Sequence, residues 1–296
     1  MDFVLRCAPN TAMKTRILFG LLMIAALGGV LWLDWHLGRA APVRPWAVGL
    51  ALAGVLLCLV PAALRELANL ARGAGLEILP VSALLGVAGV GLWPYWERLL
   101  WPGGAGDMLV AVAGVAVMVI FAEQMIRFRT VEGLRRVAVT AMAVMYLGVG
   151  MAAMLSVRMT WGVEVLVMFL SAVKGTDVAA YFVGSAIGRH KLIPWLSPGK
   201  SWEGLAAGLV GGAAAGALVG WGLGVGVAVW QAGVFGAVVG AAGQFADLCE
   251  SLLKRSVQVK DSGAAVPQYG GVLDILDSLL LSAPVAWVIL SAIPGL

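Results

Sequence analysis

Two aspartates stand three residues apart where the last apolar stretch of the chain begins. Asp274 and Asp277 lie in "GGVLDILDS", and a spacing of three on a helix directs both carboxylates to one face. Asp247 adds a third carboxylate near the end of the preceding apolar stretch. Hard cations such as Mg²⁺ are bound by carboxylates together with water and phosphate oxygens. We therefore predict a divalent-metal and polyphosphate site. Without a metal, these aspartates would have to be protonated or paired.

Cations accompany these carboxylates along the sequence. One stripe, at positions i, i+3, i+4 and i+7 of a helix, consists of Asp247, Glu250, Ser251 and Lys254. An amphipathic helix that leaves a membrane would show the same spacing, so this remains an alternative. Lys200, Arg255 and Lys260 are further cations in the neighbouring segments. Their positive charge would let a site rich in carboxylates and metal accept an anionic nucleotide.

A second polar group precedes these segments. Lys174, Asp177 and Tyr181 share one helix face, which indicates either a neutralised pair that ties helices together or a wet functional cavity. The following loop, "GRHKLIPWLSPGKSWEG", is rich in cations and turn residues. It suits either a phosphate cradle or an ordinary positively charged loop, and His190 within it fits a solvated residue better than a catalyst.

The elements that must position these residues are membrane helices. Hydrophobic residues make up 61% of the 296 residues and charged residues only 12%, with a mean hydropathy of +0.96. Soluble domains are about 25% charged, so the composition predicts an integral membrane protein. The apolar runs are long and do not alternate, which favours an all-α, polytopic helix bundle.

We predict about nine transmembrane helices. Their approximate ranges are 17 to 35, 44 to 64, 78 to 97, 107 to 126, 137 to 157, 162 to 188, 204 to 223, 226 to 249 and 272 to 294. With the N-terminus in the cytosol, 15 of the 20 Lys and Arg residues lie on the cytosolic side and four on the opposite side. The net charge of +4 therefore reflects topology rather than nucleic-acid binding.

The chain divides into two regions by the distribution of its polar residues. Residues 1–157 are almost free of ionisable groups within the spans, and we expect them to form a scaffold on the lipid side. Residues 158–296 collect polar groups at one membrane face, where we expect the catalytic region. The cysteines share no metal-like spacing, and no Walker A, dinucleotide or HExxH motif is present.

These residues resemble the phosphatidate cytidylyltransferases, or CDP-diacylglycerol synthases. The family motif reads S-x-x-K-R, four residues, K-D, then P-x-H-G-G, two residues and D-R-x-D. Its spacing is kept here by Ser251, Lys254, Arg255, Lys260, Asp261, Pro267, Gly270, Gly271, Asp274 and Asp277. Upstream, "SPGKSWEG" and "DLCES" also resemble family segments, so that the likeness covers about the last 130 residues. Tyr269 and Ile275 stand where the family usually has His and Arg, and neither can supply a positive charge.

The resemblance implies transfer of CMP from CTP to phosphatidic acid, giving CDP-diacylglycerol and diphosphate. It implies Mg²⁺, with or without a second cation, bound by Asp247, Asp274 and Asp277, and catalytic roles for these three with Lys254 and Lys260. The substrate-binding residues that it implies are Asp177, Tyr181, Ser197, Lys200, Ser201, Glu203, Glu250, Ser251, Arg255, Asp261, Tyr269, Gly270 and Gly271. We expect a bacterial-type cytoplasmic membrane, with the N-terminus and active site cytosolic and the C-terminus opposite. A homodimer is compatible with the pattern.

Two other functions fit parts of the pattern. A CTP-dependent lipid or polyprenol kinase would need the same metal and cations. An ion-coupled transporter would use Lys174 and Asp177 as midplane groups, but transporters of this kind often contain internal repeats and none is evident. The acidic residues also concentrate at one membrane face, which favours the cytidylyltransferase.

Overall fold

The structure, a computed structural model, describes residues 9–39, 47–100, 107–263, 265 and 270–293. Its helices are α1 (Pro9–Gly38), α2 (Leu50–Gly73), α3 (Pro80–Gly91), α4 (Trp93–Leu100), α5 (Asp107–Glu123), α6 (Gly133–Val144), α7 (Gly150–Trp161), α8 (Val163–Ile187), α9 (Trp202–Gly222), α10 (Val229–Ser256) and α11 (Val272–Ser291). Two strands, β1 (Lys191–Ile193) and β2 (Ser197–Ser201), pair antiparallel. A π-helical turn, Gln124–Phe128, extends α5, and another, Met145–Val149, joins α6 to α7.

Eight helices in the described part of the chain are long and apolar enough to cross a membrane. They are α1, α2, α5 with its π-turn, the continuous rod from α6 to α7, and α8 to α11. The prediction of an all-α polytopic membrane protein is confirmed, with one long helix fewer than the nine spans expected.

The difference lies in the third predicted span, 78 to 97. Here α3 has 12 residues, or about 18 Å at 1.5 Å per residue, which is shorter than a hydrocarbon core of about 30 Å. A break at Leu92 separates it from α4, whose second residue is Pro94. The second span also differs from its predicted range of 44 to 64, because α2 continues to Gly73 with Leu67 and Leu70 buried.

Glycines allow α8, α9 and α10 to approach closely. All the buried residues of α9 are glycines four apart, namely Gly204, Gly208, Gly212, Gly216 and Gly220. A β-carbon at Gly212 would lie 2.9 Å from the Gly236 carbonyl oxygen of α10 and would meet Thr176 of α8. Lipid tails give apolar side chains little reason to associate, so this backbone contact is what packs the three helices.

The three helices bring their polar ends to one side of the bundle. The end of α8, the β1–β2 hairpin, the start of α9, the end of α10 and the start of α11 line one cavity. The Ser201 hydroxyl accepts from Gly204 N at 3.1 Å and so caps α9. Glu203 accepts from His190 N at 3.2 Å and contacts His190 Nδ1 at 2.6 Å, which holds the hairpin against the start of α9.

Candidate active site

An open cavity of about 660 Å³ lies at this polar end. Its polar side chains come from α8, α10, α11 and the hairpin: Lys174, Asp177, Tyr181, Ser185, Lys191, Lys200, Ser201, Gln244, Asp247, Asp274, Asp277 and Ser278. The two polar groups singled out in the sequence therefore share one wall, although up to 100 residues separate them.

Three carboxylates converge beside this cavity. One oxygen each of Asp247, Glu250 and Asp277 lies within 4.8 Å of the others. Glu250 is fully buried and Asp277 is 4% exposed, whereas the Asp247 side chain is 36% exposed. Glu250 Oε1 is buried and has no hydrogen-bond partner among the described residues. Buried carboxylates at this separation repel one another unless a cation or proton lies between them, so the donor set fits a hard divalent cation.

Asp274 lies next to this carboxylate group but is engaged elsewhere. Its Oδ1 is 2.7 Å from Lys254 Nζ, and its Oδ2 accepts from Gly271 N at 2.6 Å and from Ser262 N at 3.1 Å. The structure thus brings Glu250, rather than Asp274, to the side of Asp247 and Asp277. A metal-binding role for Asp274 stays a prediction.

Lys254 connects the two sets of carboxylates. Its buried ammonium contacts Glu250, one helical turn earlier on α10, and Asp274 on α11. Because it bonds both acids, Lys254 fixes α10 against α11 and offsets part of the buried negative charge.

Lys200 reaches the carboxylate group from the hairpin side. Its ammonium lies 2.6 Å from Asp247 Oδ2 and 3.1 Å from the Gln244 carbonyl oxygen. The side chain is 18% exposed and lines the cavity, so a phosphate that enters would meet a cation already placed beside Asp247. Lys191 adds a second cation to the wall from β1.

The predicted shared face of Lys174 and Asp177 is confirmed. Lys174 Nζ donates to Asp177 Oδ2 at 3.1 Å and to Ser278 Oγ on α11 at 2.8 Å. Gln244 Nε2 on α10 donates to Asp177 Oδ1 at 2.8 Å. The pair therefore ties α8 to α10 and α11 and also lines the cavity, so both interpretations made from the sequence have contacts that support them.

Several predicted residues lie outside the described cavity wall. These are Ser197, Glu203, Glu250, Ser251, Lys254, Arg255, Lys260, Asp261, Gly270 and Gly271, and Tyr269 falls outside the described residues. Of these, Glu250 and Lys254 are buried beside the cavity, where they contact residues of its wall or of the carboxylate group. Arg255 bonds the Leu196 and Val259 carbonyl oxygens, so it joins the hairpin to the end of α10. Gly270 has a φ of +94°, a conformation that favours glycine, at the turn into α11.

Tyr146 is a residue that the sequence did not single out. It lies on the π-turn between α6 and α7, is buried, and its hydroxyl has no partner among the residues described. The π-turn that carries it packs against α11. Its apolar sequence surroundings gave no signal, since π-turns are not visible in a hydrophobic pattern.

Comparison with known proteins decides the family. A profile described as "Cytidylyltransferase family" matches residues 14–293, which include every element of the cavity. The chain belongs to the cytidylyltransferase family. Ser197 to Gly204 and Asp247 to Asp277, the segments that carry the sequence resemblance, lie inside the matched range.

Two relatives are named as phosphatidate cytidylyltransferases. A phosphatidate cytidylyltransferase of Mycobacterium bovis is 32% identical over 281 residues, which are 86% of this chain and 89% of that protein. A phosphatidate cytidylyltransferase of Pseudomonas aeruginosa is 53% identical over 125 residues, which are 42% of this chain and 45% of that protein. The resemblance read from the sequence is thereby confirmed.

Proposed function

We propose that this cytidylyltransferase transfers CMP from CTP to phosphatidic acid. A phosphate oxygen of the lipid attacks the α-phosphorus of CTP, the bond from that phosphorus to the β-phosphate oxygen breaks, and diphosphate leaves. The products are CDP-diacylglycerol and diphosphate. The observation that carries the proposal is the group of three carboxylates beside a cationic cavity, at one end of helices long enough to span a bilayer.

We propose that Asp247, Glu250 and Asp277 hold Mg²⁺, with Asp274 adjacent to them. The all-oxygen donor set and the unpartnered Glu250 Oε1 support this choice of ion. When bound, Mg²⁺ supplies charge stabilisation to phosphate oxygens and orients them.

The chain's own cations take up the remaining negative charge. Lys200 and Lys191 line the wall next to Asp247 and are suited to the phosphates of CTP. Lys174, on the α8 and α11 side of the same cavity, is suited to the phosphate of the lipid. Two anionic reactants repel each other in water, so cations fixed on both sides of the reacting centre lower the barrier. No protein nucleophile is needed for a direct transfer.

We propose that the cavity faces the cytosol, where CTP is available. Cations cluster at this end of the bundle, in the hairpin and in the last turn of α10, which supports this orientation. It puts the start of α11 on the cytosolic side and its end on the opposite side of a bacterial-type cytoplasmic membrane. Lipid substrate would then reach the site from the cytosolic leaflet.

The position of a radioactive label tests the reaction. Purified protein in vesicles that contain phosphatidic acid is incubated with Mg²⁺ and CTP labelled at either the α- or the γ-phosphate. We expect α-label in the lipid and γ-label in diphosphate. Lipid that carries the γ-label would identify a lipid kinase instead, and absence of label from the lipid in both cases would contradict the proposal.

A further inference from the structure

A buried glutamate from the N-terminal half contacts the start of the helix that carries two of the site's aspartates. Glu66 lies on α2 and is 6% exposed. Its Oε1 accepts from Val272 N at 3.0 Å, and its Oε2 accepts from Leu273 N at 2.8 Å. These two N–H groups open the first turn of α11 and have no partner within that helix. The negative carboxylate also suits the positive end of the helix dipole.

The same carboxylate is linked to Asp274 through one serine. Ser262 Oγ lies 3.1 Å from Glu66 Oε2 and 2.9 Å from Asp274 Oδ2, so its proton serves one or the other acid. Asp274 in turn accepts from Gly271 N. Glu66 and Asp274 therefore satisfy three consecutive backbone donors, at residues 271 to 273, and fix the start of α11 from both sides.

Two glycines leave the space that Glu66 occupies. A β-carbon at Gly263 would lie 2.5 Å from Glu66 Oε1, and one at Gly271 would collide with Glu66 and Ser262. Gly271 belongs to the sequence motif that also contains Asp274 and Asp277, and the sequence alone does not connect this motif with Glu66. Because the Glu66 carboxylate lies against the backbone of both glycines, a side chain at Gly271 would clash with it, which explains why glycine stands at this position.

We propose that Glu66 is a positioning residue for the active site. Asp277 is buried one turn beyond the N–H groups that Glu66 holds, and it must stay within reach of Asp247 and Glu250 on α10. Release of the first turn of α11 would move Asp277 and the Asp274–Lys254 pair relative to α10. Misplacement by about 1 Å can cost about 100-fold in rate. The N-terminal region is thus part of the catalytic apparatus and not only a scaffold.

The test compares Glu66→Ala and Glu66→Gln with a matched control. Glu123 is also buried, and its carboxylate also caps a helix, because Ser82 N at the start of α3 donates to it at 2.6 Å. It is absent from the cavity wall as described. Glu123→Ala therefore removes an equivalent cap without contact with the site.

We expect Glu66→Ala to lower kcat by about 10- to 100-fold, with the KM for CTP changed less than kcat. Glu66→Gln, which keeps the shape and one accepting oxygen, should recover part of this loss. Hydrogen exchange measured on protein in nanodiscs should accelerate at residues 271–276 in Glu66→Ala. Glu123→Ala should reduce thermal stability to a similar extent but leave kcat and this exchange unchanged.

Each outcome decides a separate point. The kcat readout rests on the proposed function, and an inactive wild type would contradict that function while hydrogen exchange still reports on the anchoring of α11. An active wild type with unchanged kcat in Glu66→Ala would overturn the positioning role. An equal loss of kcat in Glu123→Ala would reduce the effect to general destabilisation and would also overturn it.

Discussion

Glu250 is fully buried, and one of its two carboxylate oxygens has no hydrogen-bond partner among the described residues. Its Oε2 contacts Lys254, whereas Oε1 has no donor among the described groups. A buried acceptor without a partner costs free energy in the folded protein, so a cation at this point would relieve it. We therefore expect a cation bound at Glu250 to stabilise the folded protein as well.

Glu250→Gln tests this role with the side-chain shape preserved. We expect the Mg²⁺ concentration for half-maximal transfer to rise by at least about 10- to 100-fold, the range typical for loss of a residue that supports a metal ligand. The measurement is a Mg²⁺ titration of label transfer at saturating CTP. Glu164→Gln, in the first turn of α8 and outside the described cavity wall, is the control and should keep the wild-type Mg²⁺ dependence. An unchanged titration in Glu250→Gln would remove this residue from the ion's surroundings.

At the scale of elements, the position of the site depends on how closely α8, α9 and α10 pack. The glycine stripe of α9 lets Thr176 of α8 and Gly236 of α10 lie close to the α9 backbone. Further along, α8 carries Asp177, and α10 carries Asp247 and Glu250. A wider separation at the stripe would be transmitted along rigid helices to the carboxylates.

Gly212→Val should therefore destabilise the protein strongly. The new side chain would meet Thr176 and the Gly236 carbonyl oxygen, and overpacking of this kind costs about 1–3 kcal/mol. We expect a fall in Tm of several degrees for detergent-solubilised protein followed by size-exclusion chromatography after heating. Gly222→Ala, at the end of α9 with no atom near the added methyl group, should behave as wild type. A Tm unchanged by Gly212→Val would mean that the helices do not depend on this contact.

Residue patterns in the sequence were sufficient for most of the helices and for most of the polar residues of the cavity wall. The spacing of Asp274 and Asp277 and the stripe on α10 predicted one polar site because helical periodicity fixes which residues share a face. The continuation of α2 to Gly73 was missed because Arg65 and Arg72 look like loop charges, although Leu67 and Leu70 keep the helical period.

Long-range partners were beyond prediction from a single sequence. Glu66 is separated from Val272 by 206 positions, and nothing in "LRELANLARG" shows that its glutamate turns inward. Likewise, the sequence did not show that Glu250, rather than Asp274, lies beside Asp247 and Asp277. Lys254 pairs with both Glu250 and Asp274 and so holds each in its place. Tertiary contacts, rather than local helix propensity, determine which of these side chains come together.

At the scale of the whole molecule, residues from both regions drawn from the sequence meet at the start of α11. The C-terminal helices provide the carboxylates and cations, while Glu66 of α2 contacts the start of α11 and the π-turn that carries Tyr146 packs against the same helix. At the other end of the bundle, an ion pair between the buried Asp34 and Arg158 joins α1 to α7. Residues 1–157 are thus tied to residues 158–296 through the buried side chains of Asp34 and Glu66.

The most direct test of this assembly is transfer of α-labelled CMP to phosphatidic acid by wild-type protein and by Asp277→Asn, with and without Mg²⁺. We expect wild-type transfer to require Mg²⁺, and Asp277→Asn to lose at least about 100-fold while it elutes as folded protein, because one carboxylate of the buried group is gone. Near-normal Mg²⁺-dependent transfer by Asp277→Asn would contradict a catalytic metal site at these carboxylates.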